Sequence, residues 1–312
     1  MRRRDVVVIT GASSGIGRAS AIAFARRGAK LVLAARSDSS LEDVAAECRA
    51  CGSEAIVVPT DVADEAQVRT LASEAMAAFG RIDVWVGAAS VFVYGTFEST
   101  PPEVFRQVVE TGLFGQVHGA RSVLPRFRAQ RRGTLIMIGS IYSKVTSPYV
   151  SAYVTAKFAL LGFAEVLRQE LRGTGIHVCT VLPATIDTPI YQHAANYTGE
   201  RVHPLPPITD PRRVVRAIVR LARHPKPVTV VGRLQSTLIP LHAAAPRFYD
   251  RVIGAAMNAL ALRGGSVPTT AGNVFESLPE SNRVDGGWRS PGWRAIALAG
   301  TVAAVVGLSR RR

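Results

Sequence analysis

Cysteine, lysine and acidic residues are all scarce in this chain. Three cysteines in 312 residues exclude a disulfide framework. Cys48 and Cys51 form a C-x-x-C, but at a predicted helix end with no second pair and no flanking histidine. Zinc needs four ligands and the six histidines show no ligand spacing, so no metal is expected. There are 4 lysines against 34 arginines, and 23 acids leave a net charge of +15. That balance suits an anionic partner, such as a phosphorylated cofactor, nucleic acid or an acidic membrane surface, or reflects a plain bias toward arginine. The basic helix end at 126–132 lacks the interleaved aromatics of a nucleic-acid face, so nucleic acid is not expected as a partner. At 47% hydrophobic and 20% charged, the composition excludes a disordered chain, a collagen and a coiled coil.

A long apolar run is also missing. The stretch after Arg2, Arg3 and Arg4 is too short for a signal-peptide core, reads as a first strand, and implies a cytoplasmic body. Residues 295–308 are 14 residues without a charge, about 21 Å as a helix against a hydrocarbon core of about 30 Å. Trp288 and Trp293 precede this run and Arg310 to Arg312 close it. Tryptophan favours the headgroup level and arginine can snorkel. The expectation is a helix over 293–312 that associates with a membrane. The alternative is a helix packed on the protein's own core or on a partner subunit.

What is present is an alternation of short β-branched runs with longer helical patterns, which predicts βαβ units and a parallel sheet. Strands are expected at 6–10, 31–35, 54–59, 82–87, 133–139, 175–181 and 227–231. Helices are expected near 15–27, 40–51, 65–79, 102–128, 150–172 and 211–223. This is an α/β chain: a Rossmann-type doubly wound seven-stranded parallel sheet with helices on both faces, over residues 1–233. Residues 234–292 form a C-terminal extension, with one or two helices to about 263 and then an irregular arm. Residues 293–312 are the apolar tail.

Thr10-Gly11-Ala12-Ser13-Ser14-Gly15-Ile16-Gly17 follows the first strand and opens the first helix. Gly11 permits a sharp turn, Gly15 lets backbone approach a pyrophosphate, and Gly17 lets helix pack on strand. The helix N-terminus offers free N–H groups and a positive dipole to phosphates. An acid at the end of the second strand would bind a ribose 2′-hydroxyl; here Arg36 stands instead. A guanidinium can fork onto a 2′-phosphate, and Arg18 is placed to assist. NADP(H) is therefore favoured over NAD(H), with Asp38 the residue that could reverse this by turning in. Tyr153 and Lys157, four apart at the start of a long helix, share one face, and the ammonium is expected to lower the phenol's pKa.

The loop and the Y-x-x-x-K together resemble the short-chain dehydrogenase/reductase family, over about residues 5–233. The resemblance implies an oxidoreductase of carbonyl reductase or alcohol dehydrogenase type, acting on a small-molecule carbonyl or alcohol. It makes Ser140, 13 residues before Tyr153, the group that holds the substrate carbonyl. Tyr153 becomes the acid/base, and Lys157 also a ligand of the nicotinamide ribose. Asp61 and Val62 match the adenine contact. Pro183, Ile186 and Thr188 match the segment that contacts the carboxamide, with Ala184 in place of the usual glycine. A bulky, partly apolar substrate is expected against residues 188–208, including Ile190, Tyr191, His193, Asn196 and Tyr197. Family members are often dimers or tetramers, so a homo-oligomer stays open. Two positions depart from the pattern. Gly87-Ala88-Ala89-Ser90 replaces N-N-A-G; contacts to the cofactor from the Ala88 backbone can survive this, but the stabilising asparagine is gone. Gly112 replaces the asparagine whose water relays protons to the lysine. These departures keep a second reading open, a non-catalytic or weakly active dinucleotide-binding scaffold.

Overall fold

Buried runs of β-branched residues build the central sheet. The computed structural model describes residues 5–232, 234–278 and 282–289. Its strands are β1 (Val6–Thr10), β2 (Lys30–Ala34), β3 (Ala55–Val57), β4 (Val84–Gly87), β5 (Val93–Tyr94), β6 (Gly133–Ile138), β7 (Ile176–Pro183), β8 (Ala195–Asn196), β9 (Glu200–Val202), β10 (Val228–Val231) and β11 (Leu262–Ser266). Seven of them form one sheet in the order β10-β7-β6-β4-β1-β2-β3, every pair parallel. Alternation along β1 splits the core in two. Val7 and Ile9 join Phe24, Leu31 and Leu33 on one face. Val8 joins Val32, Trp85 and Phe127 on the other. A parallel sheet buried on both faces needs helices on both, and the connections supply them.

The helices are α1 (Gly15–Ala25), α2 (Asp38–Ala50), α3 (Glu65–Phe79), α4 (Pro102–Val109), α5 (Gly115–Gln130), α6 (Ser151–Glu170), α7 (Pro211–Leu221), α8 (Leu238–Ala244) and α9 (Pro246–Ala256). Their ends follow local chemistry. Asp64 caps α3 by accepting from Ala66 N at 2.8 Å, and Gly80 closes it in the left-handed region. The single helix expected over 102–128 is two helices. Glu110–Phe114 forms a π-turn between α4 and α5, and Gly112 lies in it. Such a turn inserts an extra residue and often marks a functional site.

From β1 the chain winds outward through β2 and β3, and from β4 it winds the opposite way. The crevice at the carboxyl ends of β1 and β4 is the switch point where such sheets bind ligands. Gly11 fits it because its φ is +67° and a Cβ there would lie 2.6 Å from Ala89 N.

The C-terminal extension packs onto this crevice. Tyr249, Ile253 and Met257 join Phe92, Tyr94, Val145 and Tyr153 in a third cluster. β11 pairs antiparallel with β9, and β5 pairs with β8. The tail helix expected over 293–312 lies outside the described residues. Among the described residues, no helix is long and apolar enough to cross a membrane.

Candidate active site

Helix α6 presents Tyr153 and Lys157 one turn apart, and both are buried. Lys157 Nζ donates to Ile138 O at 3.0 Å and stands 5.2 Å from the Tyr153 ring centre. Ser140 follows β6. Its Oγ accepts from Tyr142 N at 3.1 Å, and its own N–H donates to Ser143 Oγ at 3.3 Å. The turn thus fixes the serine at the strand's carboxyl end. Burial pushes the Tyr153 phenol up, against the Ser140 and Ser90 hydroxyls that flank it. Ser90 Oγ is buried and makes no well-formed hydrogen bond within the protein. Burial also pushes Lys157 down to about 8. The expected lowering of the phenol by the ammonium is not found: burial raises it, and the groups that oppose burial are the two serine hydroxyls, not Lys157. Burial disfavours the charged form of each, so both are driven toward the neutral form.

Two cavities meet here. The first runs along the crevice and is lined by Gly11, Ser13, Ser14, Gly15, Ile16, Gly17, Arg36, Asp61, Val62, Ala88 and Thr188. The second, of about 220 Å³, is lined by Ser140, Tyr153 and Lys157, and also by Pro183 and Ile186. Ile16, Ala88, Ser90, Thr188 and Ile190 border both. Thr10 lies behind the first cavity at the end of β1, its carbonyl accepting from Ala88 N at 3.2 Å. Asp38 is exposed and lines neither cavity. The rest of the second wall is mostly apolar, with Phe92, Tyr94, Val145, Tyr191, Leu238, Tyr249, Ile253 and Met257, and with Thr185 and Gln235 as polar members. Among the described lining residues, Lys157 is the one that carries a charge. Ile190 and Tyr191 line this cavity as expected of the 188–208 loop, but His193 lines the first cavity instead. Asn196 and Tyr197 line neither. Asn196 is buried in β8, where its Oδ1 accepts from Thr198 N at 3.0 Å.

The departures at 87 and 112 have separate outcomes. A Cβ on Gly87 would collide with the Gln116 amide, and Gln116 Nε2 donates to Gly87 O at 3.0 Å in a buried bond. An amide from α5 thus fills the space beside β4 that the absent side chain vacates. At Gly112 nothing comparable occurs, and a Cβ there would stand 3.3 Å from Ala156 Cβ.

Arg36 sits at the mouth of the first cavity, but its guanidinium is engaged. Nη1 donates to Val274 O at 3.2 Å and Phe275 O at 2.9 Å. Nη2 donates to Asn273 O at 2.5 Å and Glu276 O at 3.2 Å. Arg18 donates to Asn282 O and pairs with Glu47. Gly15 N–H, at the start of α1, donates to Arg283 O at 2.9 Å. Beyond these, Asp187 Oδ1 accepts from Gly286 N at 3.0 Å and Trp288 N at 2.9 Å. Arg289 pairs with Asp210 at 2.8 Å. The described parts of the arm, residues 273–278 and 282–289, therefore lie against the crevice, and Asn273, Ser277, Leu278 and Asn282 line its cavity.

A doubly wound sheet, a glycine loop at its switch point and a buried Ser-Tyr-Lys group define a nucleotide-dependent oxidoreductase. The family model for short chain dehydrogenase matches residues 5–197, and the chain belongs to the short-chain dehydrogenase/reductase family. It is 36% identical over 253 residues to the uncharacterized oxidoreductase YxnA of Bacillus subtilis, covering 80% of this chain and 71% of that one. It is 32% identical over 262 residues to dehydrogenase/reductase SDR family member 7B of Bos taurus, covering 80% and 81%. Among solved structures it is similar to an alcohol dehydrogenase from the archaeon Thermococcus sibiricus complexed with 5-hydroxy-NADP. That likeness has a TM-score of 0.64 and 26% identity over 73% of this chain and 95% of the other.

Proposed function

We propose that the protein is an NADP(H)-dependent carbonyl reductase or alcohol dehydrogenase that acts on an uncharged, largely apolar substrate. One observation carries this reading: Ser140, Tyr153 and Lys157 converge in a cavity that opens into the glycine-loop crevice. The crevice suits a dinucleotide, because its loop is bare backbone packed tightly at the switch point: a Cβ on Gly11 would lie 2.6 Å from Ala89 N and one on Gly17 would collide with Gly11 O, so only glycine lets α1 start there with its N–H groups facing the crevice. The loop 10–17 and Arg36 would hold the phosphates, Asp61 and Val62 the adenine, and Ala88, Pro183, Ile186 and Thr188 the nicotinamide end. When bound, the cofactor supplies or accepts hydride. Ser140 orients the carbonyl oxygen, Tyr153 gives that oxygen its proton or takes it back, and Lys157 holds the ribose and the charge beside the phenol. Residues 1–233 would form the catalytic unit and 234–292 an extension that closes the substrate cavity. Turnover of NADPH with a panel of lipophilic ketones tests the activity, and its absence across the panel in the folded protein would favour the scaffold reading.

Arg36 is the residue on which the cofactor preference rests. Arg36→Asp should lower the NADPH-over-NADH preference at least about tenfold, since a carboxylate repels the 2′-phosphate and can accept from a 2′-hydroxyl. Paired titrations with both nucleotides check this, and tighter NADH binding by the unmodified protein would refute the preference. Residues 293–312 are read, from their sequence alone, as a membrane-associating tail. The full chain should sediment with membranes through a high-salt wash, and a chain ending at Ser290 should not. A full chain that stays in the supernatant without detergent would refute it.

A further inference from the structure

We infer that residues 273–278 and 282–289 form a strap that the dinucleotide must displace, so that the protein carries its own competitor for the cofactor's phosphates. The inference rests on the reading of the crevice as the NADP(H) site. A guanidinium offers five N–H groups, and the strap's carbonyls engage Arg36 four times through Nη1 and Nη2. A phosphate fork needs two adjacent N–H groups on the same guanidinium, so it needs at least one of those bonds to open. The Gly15 amide is one of the unpaired first-turn donors of α1 that a pyrophosphate would use, and it donates to Arg283 O at 2.9 Å. Arg18, the second cation near the phosphate path, is shared between Asn282 O and Glu47.

The exchange has a direction. The strap offers neutral carbonyls, whereas phosphate oxygens are charged and make hydrogen bonds roughly twice as strong. The strap competes because it is tethered, so its carbonyls are present at high effective concentration. Its anchors lie apart from the donors. Asp187 accepts from Gly286 N and Trp288 N, Arg289 pairs with Asp210, and Trp288 packs edge-on against Tyr191 with ring centres 6.2 Å apart. The anchors can therefore be cut while Arg36, Arg18 and the glycine loop stay intact.

The test uses the full chain with Asp187→Ala or Arg289→Ala, the second at a partly exposed site that folding tolerates. NADPH affinity and association rate are measured by nucleotide fluorescence, and exchange of the Gly286 and Trp288 amides by hydrogen exchange with and without NADPH. Both variants should bind NADPH about three- to tenfold more tightly and associate faster. NADPH should speed exchange of the two amides in the unmodified protein, and NADH, without the 2′-phosphate, should speed it less. Unchanged or weaker binding in both variants would overturn the strap as a competitor. So would slower amide exchange with NADPH, which would make it a cover that closes on the cofactor. Failure of the unmodified protein and both variants to bind either nucleotide would sink the cofactor reading first and the strap with it. Nucleotide binding with the strap amides unmoved would sink the strap alone.

Discussion

Tyr153→Phe is expected to lower turnover by about 10²- to 10⁴-fold, the range for removing a positioned general acid, with NADPH affinity nearly unchanged. The substitution deletes one oxygen and keeps the ring, which packs against Phe92 at 4.3 Å between centres. Folding should tolerate it, so lost rate reports lost chemistry. Burial raises the phenol's pKa, so in the reductive direction it stays protonated as a donor, and the rate should be flat across neutral pH. In the oxidative direction the deprotonated form is needed, and the rate should climb with pH. Measuring kcat against pH in both directions checks this. Undiminished turnover in the phenylalanine variant would mean that another group moves the proton.

Between pH 8 and 10, folding stability should gain about 2 kcal/mol from Lys157 alone. The folded pKa of about 8 lies below the ordinary 10.5 because the ammonium is desolvated. Between those values the unfolded chain binds the extra proton, so stability rises with pH. Below pH 8 both states are protonated and the curve flattens. Above pH 10 the buried Tyr94 and Tyr153 and the half-buried Tyr142, all raised by desolvation, ionise more readily on unfolding and reverse the trend. Lys157→Met keeps the stem and removes the charge. Subtracting its denaturation-derived stability from that of the unmodified chain at each pH isolates the lysine, and a flat difference would contradict the depressed pKa. A lysine near 8 also sits close enough to neutrality to exchange protons with its surroundings.

The seven-stranded sheet was legible because its strands are β-branched runs between helical patterns, which local sequence encodes. The two-residue strands β5 and β8 were not, since two residues carry no period. Tyr153 and Lys157 were legible as a pair through the four-residue spacing that puts two side chains on one helix face, and Ser140 only through the family resemblance. The lining from α9 and the π-turn that follows it was within reach of a sequence reading, because Tyr249, Ile253 and Met257 recur at four-residue intervals and mark one buried helix face. Gln116 was hidden because its partner, Gly87, is 29 residues away and is recognised through a backbone oxygen. The hold on Arg36 was hidden for a stronger reason. Its acceptors are main-chain carbonyls, which every residue owns, so side-chain identity carries no trace of the contact. The guanidinium at residue 36 is visible in the sequence; the carbonyls that engage it are not.

The separation in sequence between Arg36 and its acceptors also sets an order of events on the ribosome. Arg36 and Asn273 are 237 residues apart. At roughly 5–20 residues per second, translation takes on the order of ten seconds or longer to travel that distance. The glycine loop and Arg36 are thus made well before the carbonyls that occupy them. A nascent chain whose sheet has formed meets cellular nucleotide before it meets its own C-terminal arm. On the proposed reading of the crevice, its first ligand would be set by nucleotide concentration during synthesis, with the arm arriving second.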